Sequence, residues 1–125
     1  MSVVGLGVDV VDMDRFRIVL GRRPRIAERV FTEGERRYAF SKADPVPRLA
    51  ARFAAKEATM KALGVGLGAF KFYDAEVVRA PSGEPSIRLA GAALTLAGRR
   101  GATSFRLTMT HSDLVAVAFV IAEGD

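Results

Sequence analysis

The chain has 125 residues, of which 50% are apolar, so it is too hydrophobic for a disordered tail and long enough for one domain with a buried core. It contains no cysteine, which excludes a disulfide framework and a thiolate metal site and fits a reducing compartment. Its formal net charge of +5 favours a polyanionic partner, such as nucleic acid, a phosphorylated cofactor or an acidic protein.

The first predicted elements are a strand and three short helices. The apolar stretch at 3–11 predicts a strand that is buried on both faces, inside a sheet or at a subunit contact. Asp12 is the predicted N-cap of the helix that follows, and Thr32 with Glu35 has the spacing of a capping box. The three helices are expected at 13–20, at 26–30 and in FTEGERRYAF at 31–40.

The longest helix is predicted in PRLAARFAAKEATMKALG at 47–64, where six alanines allow close packing and Gly64 marks the end. The elements expected after it are strands at 75–79 and 86–90, a helix at 91–99, and strands at 104–111 and 114–122. The last of these strands should be buried on both faces. This order predicts one compact α+β domain at 1–125, with a largely antiparallel sheet and helices packed on it.

No segment is expected to enter a membrane. The longest apolar stretch, LVAVAFVIA at 114–122, has about half the length of a membrane-spanning helix. The N-terminus has no basic segment ahead of an apolar run. We therefore expect a cytoplasmic protein that is neither exported nor bound to a membrane.

Asp9 is an unusual residue in the first strand. It shares a face with Gly5 and Gly7, because side chains in a strand alternate between faces. A buried carboxylate without a partner is costly, so Asp9 must reach water, a cation or hydrogen-bond donors. The two glycines leave room for another group to approach this face.

The long helix carries two charged pairs at i, i+4 spacing. Glu57 and Lys61 have the favourable order of acid before base, which is typical of an exposed ion pair but also of a functional site. Arg52 and Lys56 have the same sign, which mildly destabilises an isolated helix. A bound anion would relieve that repulsion, and side chains splayed into water would relieve it equally well.

His111, the only histidine, ends the strand at 104–111, a position typical of a structural residue as well as of a catalyst. One histidine and two carboxylates without cysteine make a poor zinc site. Hard oxygen ligands suit Mg²⁺, which usually takes one or two carboxylates and completes its shell with water and phosphate oxygens. Asp9 and Glu57 are the candidate ligands.

Four short stretches match motifs of one protein family. GLGVDVVDMDRF at 5–16 resembles its G-x-D motif with a trailing R-F or R-I, and RFAAKEATMKALG at 52–64 resembles its K-E-A-x-x-K-A-x-G signature. SGEP at 82–85 resembles its G-x-P turn, and MTHSDLVAVAFVIAE at 109–123 resembles its T-H motif and A-x-A strand. Over nearly its whole length the chain thus resembles the holo-acyl-carrier-protein synthases of the 4′-phosphopantetheinyl transferase superfamily.

The resemblance implies the superfamily's α+β fold and its reaction. In that reaction, 4′-phosphopantetheine moves from coenzyme A to a serine of an acyl carrier protein or carrier domain, with release of adenosine 3′,5′-bisphosphate, in fatty-acid or polyketide biosynthesis. Mg²⁺ would be the cofactor, held by Asp9 and Glu57 against the pyrophosphate. Glu57 would also be the candidate base, Lys61 would contact the phosphate, and His111 would complete the catalytic set.

The same resemblance assigns the remaining site residues and partners. Coenzyme A would be bound by Arg48, Arg52, Lys56, Lys61, Gly64, Gly83, Pro85 and His111. The acidic carrier protein would dock on Arg15, Arg22, Arg23 and Arg25. Short members of the family form trimers with coenzyme A between subunits, so a homotrimer is expected, with neither a nucleic acid nor a membrane as partner.

Two other functions are compatible with the sequence. The charge would permit a small nucleic-acid-binding module, but Phe53, Phe105 and Phe119 occupy predicted core positions and form no stacking platform among the arginines. A catalytically inactive carrier-binding subunit is the second alternative. The presence of Asp9, Glu57 and Lys61 argues against it.

Overall fold

A computed structural model describes residues 1–125 and contains five α-helices and five β-strands. The helices are α1 (Met13–Arg22), α2 (Ile26–Val30), α3 (Glu33–Phe40), α4 (Val46–Ala62) and α5 (Gly91–Arg99). The strands are β1 (Ser2–Asp12), β2 (Ala75–Arg79), β3 (Pro85–Leu89), β4 (Ser104–His111) and β5 (Val115–Gly124), and a short 3-10 helix covers Phe72–Asp74. None of the helices combines the length and the apolar character needed to cross a bilayer.

The strands form two antiparallel sheets. The larger sheet has the order β1-β5-β4, and β2 pairs with β3 in a separate hairpin. The expected α+β architecture is therefore confirmed. β1 is an edge strand that pairs only with β5, so the first expected setting, the inside of a sheet, is wrong and the second, a subunit contact, stays a prediction.

The two glycines of β1 allow helix α4 to lie directly against the strand. A Cβ atom added at Gly5 would overlap the carbonyl oxygen of Ala62, and one added at Gly7 would overlap that of Ala58. The backbones of β1 and α4 are thus in contact with no side chain between them. This contact brings the C-terminal half of α4 beside Asp9.

Alanines extend the same close packing to the rest of the sheet. Ala54 and Ala58 on α4 are fully buried, as are Ala116 and Ala118 on β5. Helix α4 therefore lies across the inner face of the larger sheet and forms the centre of the core.

The outer face of the larger sheet is apolar and uncovered. Leu6, Val8 and Val10 are between 50 and 59% exposed. Phe119, predicted to lie in the core, is on this face as the pairing partner of Val8. The prediction that β1 and β5 are buried on both faces is therefore wrong for the single chain, since the helices cover only one face.

The helix starts follow the predicted caps. The Asp12 side chain accepts a hydrogen bond from the Arg15 backbone N–H at 2.9 Å, which fixes the start of α1 at the end of β1. The predicted capping box of α3 is also confirmed. The Glu35 carboxylate accepts from the Thr32 backbone N–H at 3.0 Å, and the Thr32 hydroxyl accepts from the Glu35 backbone N–H at 3.2 Å.

Candidate active site

Two carboxyl groups from different elements meet beside the contact of β1 with α4. Asp9 comes from β1 and is 9% exposed, while Glu57 comes from α4 and is half-buried. Burial raises the pKa of the Glu57 carboxyl to about 7, and the charge of Asp9 and a hydrogen bond between the two groups add to this rise. The pair therefore holds a proton near neutral pH unless another positive charge takes its place.

Lys61 supplies a positive charge at the edge of this pair. Its ammonium donates to Asp9 Oδ1 at 3.1 Å and to the Val8 carbonyl oxygen at 3.0 Å. The charge of Lys61 opposes the rise in the pKa of Glu57. The structure thus places three of the predicted catalytic residues, Asp9, Glu57 and Lys61, in one group.

The donor set at this group fits a hard divalent cation. The structure contains no cluster of three or more His, Cys, Asp or Glu side chains, so a site for a fully protein-coordinated metal is absent. Asp9 and Glu57 are nevertheless two converging carboxyl groups, and a cation would relieve their repulsion, which adds to the effect of burial on the pKa of Glu57. This incomplete oxygen set is typical of Mg²⁺, which retains several waters and binds substrate phosphates.

A pocket of about 540 Å³ opens next to the carboxyl pair. Its wall is mainly apolar and includes Phe16, Val19, Ile26 and Phe53, and its volume lies within the roughly 300–1,000 Å³ that is usual for small-molecule sites. Arg15 and Arg29 contribute its basic groups, as the full lining shows: Asp9, Val10, Val11, Asp12, Arg15, Phe16, Val19, Ile26, Arg29, Val30, Phe53 and Glu57.

The predicted docking arginines lie in two places. Arg15 lines the pocket of Asp9 and Glu57, whereas Arg23 and Arg25 line a separate exposed groove next to it. Arg22 is exposed at the end of α1. Arg29, which the sequence analysis missed, lines both the pocket and the groove. The only sequence signal for it was the high arginine content of the first two helices.

Lys56, predicted to contact coenzyme A, is engaged within the core of the single chain. Its side chain is fully buried and its ammonium donates to Glu35 Oε1 at 2.7 Å. It also donates to the carbonyl oxygens of Phe72 and Ala75, at 3.1 and 2.8 Å. All three donors of the ammonium are therefore used within the core, and no donor is left for a phosphate.

Arg52, predicted beside Lys56, lies one turn before it on the side of α4 that faces α3 and β2. It is 2% exposed, and its Nη1 donates to the Arg48 carbonyl oxygen at 3.3 Å. Its guanidinium lies 4.6 Å from the ring centroid of Tyr38, and that of Arg79 lies 4.9 Å from the same centroid. No pattern in the sequence indicates Tyr38 and Arg79, because cation–ring contacts between separate elements leave no spacing signal.

His111, the last predicted catalytic residue, lies away from the carboxyl pair within one chain. His111 is exposed at the end of β4, two strands away from β1. Neighbouring strands are about 4.8 Å apart, so roughly 10 Å separate the two strands. Gly83 (φ +96°) and Pro85 shape the β2–β3 turn, and Gly64 (φ +72°) ends α4.

Comparison with known proteins gives one consistent result. Residues 5–118 match the family described as the 4′-phosphopantetheinyl transferase superfamily. The chain is 50% identical over 123 residues to a holo-[acyl-carrier-protein] synthase of Frankia alni, covering 98% of this chain and 99% of the relative.

Solved structures of such synthases have the same fold. The crystal structure of a holo-[acyl-carrier-protein] synthase from Neisseria meningitidis superposes with a TM-score of 0.88 at 31% identity, over 98% of this chain and 99% of the other. A holo-(acyl-carrier-protein) synthase from Bacillus anthracis, in complex with CoA (3′,5′-ADP), gives a TM-score of 0.81 at 32% identity, over 98% of each chain.

Proposed function

Because the chain belongs to the 4′-phosphopantetheinyl transferase superfamily, among its holo-acyl-carrier-protein synthases, we propose that the group of Asp9, Glu57 and Lys61 carries out the family's transfer. The reaction moves 4′-phosphopantetheine from coenzyme A to a serine of an acyl carrier protein. The observation that supports this assignment is the convergence of two carboxyl groups and one ammonium beside a pocket of about 540 Å³.

The transfer requires positioning, charge neutralisation and the removal of one proton. The serine oxygen attacks the phosphorus that carries pantetheine, and the bond from that phosphorus to the bridging oxygen breaks, releasing adenosine 3′,5′-bisphosphate. Glu57 accepts the serine proton, directly or through a water molecule. In the metal-free protein its pKa of about 7 lies in the range that suits a general base near neutral pH. The Lys61 ammonium, which is 55% exposed, neutralises phosphate charge beside Asp9.

We further propose that Asp9 and Glu57 hold Mg²⁺. The cation would supply positive charge to the pyrophosphate oxygens, which lowers the cost of the charge that develops on the leaving group. On the protein side, the Lys61 ammonium keeps Asp9 in place through their 3.1 Å contact. Coenzyme A would then extend toward Arg48, Arg52 and the β2–β3 turn, with Gly64, Gly83 and Pro85 as further contacts.

The direct test is incubation of the protein with coenzyme A, Mg²⁺ and an apo acyl carrier protein, followed by intact mass measurement. A mass gain of one phosphopantetheine group on the carrier supports the transferase. Binding of the carrier without a mass gain would favour the inactive carrier-binding subunit instead. Omission of Mg²⁺ in a parallel sample tests the metal requirement separately.

We propose that the chain forms a homotrimer with active sites between subunits. The uncovered apolar face of β1 and β5 would be buried in this assembly, and an exposed His111 could approach the site of a neighbouring subunit. Leu6→Glu should therefore shift the mass in sedimentation equilibrium from trimer to monomer and reduce transfer. Leu94→Glu on α5 is the matched control, since Leu6 and Leu94 are each 58% exposed. A monomeric wild-type protein would contradict the proposal.

We also propose that the carrier docks on α1 and the basic segment after it. Arg15 lines the pocket of Asp9 and Glu57, so a carrier bound there would present its serine to the site. Arg15→Glu should raise the Michaelis constant for the carrier and flatten its salt dependence, while coenzyme A binding stays unchanged. Arg99→Glu, at the exposed end of α5, is the control. If the Michaelis constant for the carrier changes neither in Arg15→Glu nor with ionic strength, the carrier docks on another face.

A further inference from the structure

Lys61 is the only side chain that forms an ion pair with either carboxyl group of the candidate site. Its ammonium donates to Asp9 Oδ1 at 3.1 Å and to the Val8 carbonyl oxygen at 3.0 Å. Arg15 lines the same pocket but makes no salt bridge with Asp9 or Glu57. In the metal-free protein, a single ammonium therefore compensates the charge of Asp9.

The contact between Lys61 and Asp9 has two effects on a metal site. It keeps Asp9 in place, and it also occupies an oxygen that a metal ion would use. Only 11% of the Asp9 side chain is exposed, and Lys61 binds one of its two oxygens. An ammonium and a divalent cation that are held on the same carboxylate repel each other, and the repulsion is stronger where water is excluded. Lys61 in its observed position therefore opposes the binding of Mg²⁺.

The Lys61 side chain can leave Asp9 at low cost. It is 55% exposed and lies in the last turn of α4, where water competes with Asp9 for the ammonium. Its four-carbon stem is flexible, so the ammonium can reach another partner nearby. Lys56 on the same helix shows the opposite case, because its fully buried ammonium is held by three acceptors of the core.

Coenzyme A offers the Lys61 ammonium a second partner. Its pyrophosphate is proposed to bind beside Asp9, and hydrogen bonds between an ammonium and phosphate oxygens are among the strong ones in proteins. An ammonium that moves from Asp9 to the phosphate keeps one charged partner, and the carboxylate becomes free for a metal ion. The same side chain would then compensate Asp9 in the empty site and the phosphate in the loaded site.

We propose that Lys61 is a displaceable counter-ion of the metal site, which competes with Mg²⁺ for Asp9 in the empty site and moves to the pyrophosphate when coenzyme A binds. This inference rests on the proposed function. Coenzyme A would draw the ammonium away from Asp9, and a metal ion on Asp9 would free the ammonium for the phosphate. Metal ion and coenzyme A would therefore each raise the affinity of the other by the same factor.

The test measures metal binding to the full-length protein without coenzyme A and without turnover. Mn²⁺ is the probe, because it prefers the same oxygen ligands as Mg²⁺, and electron paramagnetic resonance measures the free ion. Lys61→Met should bind Mn²⁺ roughly two- to tenfold more tightly than wild type, since it removes a competing positive charge. The same variant should bind coenzyme A roughly tenfold more weakly in the absence of a metal ion, since the phosphate loses a charged donor.

Two controls accompany this measurement. Lys71→Met removes an exposed ammonium directly before the 3-10 helix, and both affinities should equal those of wild type. Asp9→Asn should lose most of the Mn²⁺ binding, which assigns the bound ion to the carboxyl pair. Mg²⁺ should displace the bound Mn²⁺ from wild type.

The direction of the change in Lys61→Met decides the inference. Weaker Mn²⁺ binding would show that Lys61 only keeps Asp9 in place, and unchanged binding would show that it does not compete, so either result would overturn the proposal. Mn²⁺ binding that survives Asp9→Asn would also contradict it. So would a gain in Mn²⁺ affinity on addition of coenzyme A that is as large in Lys61→Met as in wild type. A wild-type protein that gives the expected binding pattern but transfers nothing to an apo carrier would instead contradict the proposed function.

Discussion

Glu57→Gln is expected to abolish most of the transfer while the protein still folds. Glutamine keeps the shape of the side chain but can neither accept the serine proton nor pair with a cation beside Asp9. Loss of a general base alone costs roughly 10²- to 10⁴-fold in rate, and a weakened metal site adds to that loss. The decrease should appear in kcat, measured with a saturating apo carrier and coenzyme A.

Two controls separate this effect from unfolding and from a general change of charge. Glu33→Gln removes one carboxylate from the start of α3, where Glu33 makes only an exposed ion pair with Arg37, and its activity should equal that of wild type. The urea midpoint of Glu57→Gln should be at least that of wild type, because the substitution removes a half-buried carboxylate next to Asp9. Undiminished turnover of Glu57→Gln at saturating Mg²⁺ would refute the assignment.

The raised pKa of Glu57 also predicts how metal binding depends on pH. Below about pH 7 the metal-free pair holds a proton, so the cation must displace it, and the apparent Mg²⁺ affinity should fall by up to about tenfold for each pH unit. The stability of the metal-free protein changes in the opposite direction. Folding raises the pKa of this carboxyl, so the free energy of unfolding falls as the pH rises from about 4.5 to above 7. Mg²⁺ should therefore raise the melting temperature more at pH 8 than at pH 6. An equal shift at both pH values would show that the metal does not bind at this pair.

Lys56→Met is expected to destabilise the protein by about 3–5 kcal/mol, because it leaves the buried carboxylate of Glu35 without its counter-charge. Domains of this size are stable by about 5–15 kcal/mol, so the substitution removes a large share of the total. Glu35 retains the hydrogen bonds from the backbone N–H groups of Thr32 and Val77, at 3.0 and 2.9 Å, but these do not replace the ammonium. Urea denaturation at neutral pH measures the loss.

A second variant shows whether the uncompensated charge is the cause. In Lys56→Met combined with Glu35→Gln, the buried group is neutral and can still accept a backbone hydrogen bond. The double variant should therefore be more stable than Lys56→Met alone. It should not regain the full stability of wild type, in which the Glu35 carboxylate accepts from three different donors. If the double variant is no more stable, the loss must come from packing of the Lys56 side chain and not from charge.

Local features of the sequence predicted much of this fold. Asp12 and the pair of Thr32 and Glu35 determine the starts of α1 and α3 through contacts three residues apart, which a spacing rule detects. The motif residues Asp9 and Glu57 also met as the resemblance implied. The sequence did not predict which elements cover each face of a helix. The spacing of Arg52 and Lys56 shows that the two side chains are neighbours, but it does not show what packs over them.

Lys56 is the clearest example of this limit. The sequence places it directly before Glu57, but its ammonium is enclosed by α3, by the 3-10 helix and by the start of β2. The same limit applies to the strands. An apolar stretch such as 3–11 indicates that both faces avoid water, but it does not tell whether the second face is covered by the same chain or by another copy.

The contact of Gly5 and Gly7 with α4 has a consequence for laboratory evolution of the enzyme. Because the strand and helix backbones touch there, the spacing of Asp9 and Glu57 is set by main-chain atoms, and no substitution at 5 or 7 can adjust it gradually. Any side chain larger than hydrogen would push α4 away from β1 and separate the two carboxyl groups in the same step. Libraries aimed at new carriers or new coenzyme A analogues should therefore keep these two positions as glycine. Diversity is better placed in the pocket wall, at residues such as Val19 and Ile26, where a changed side chain alters the cavity without moving the backbone.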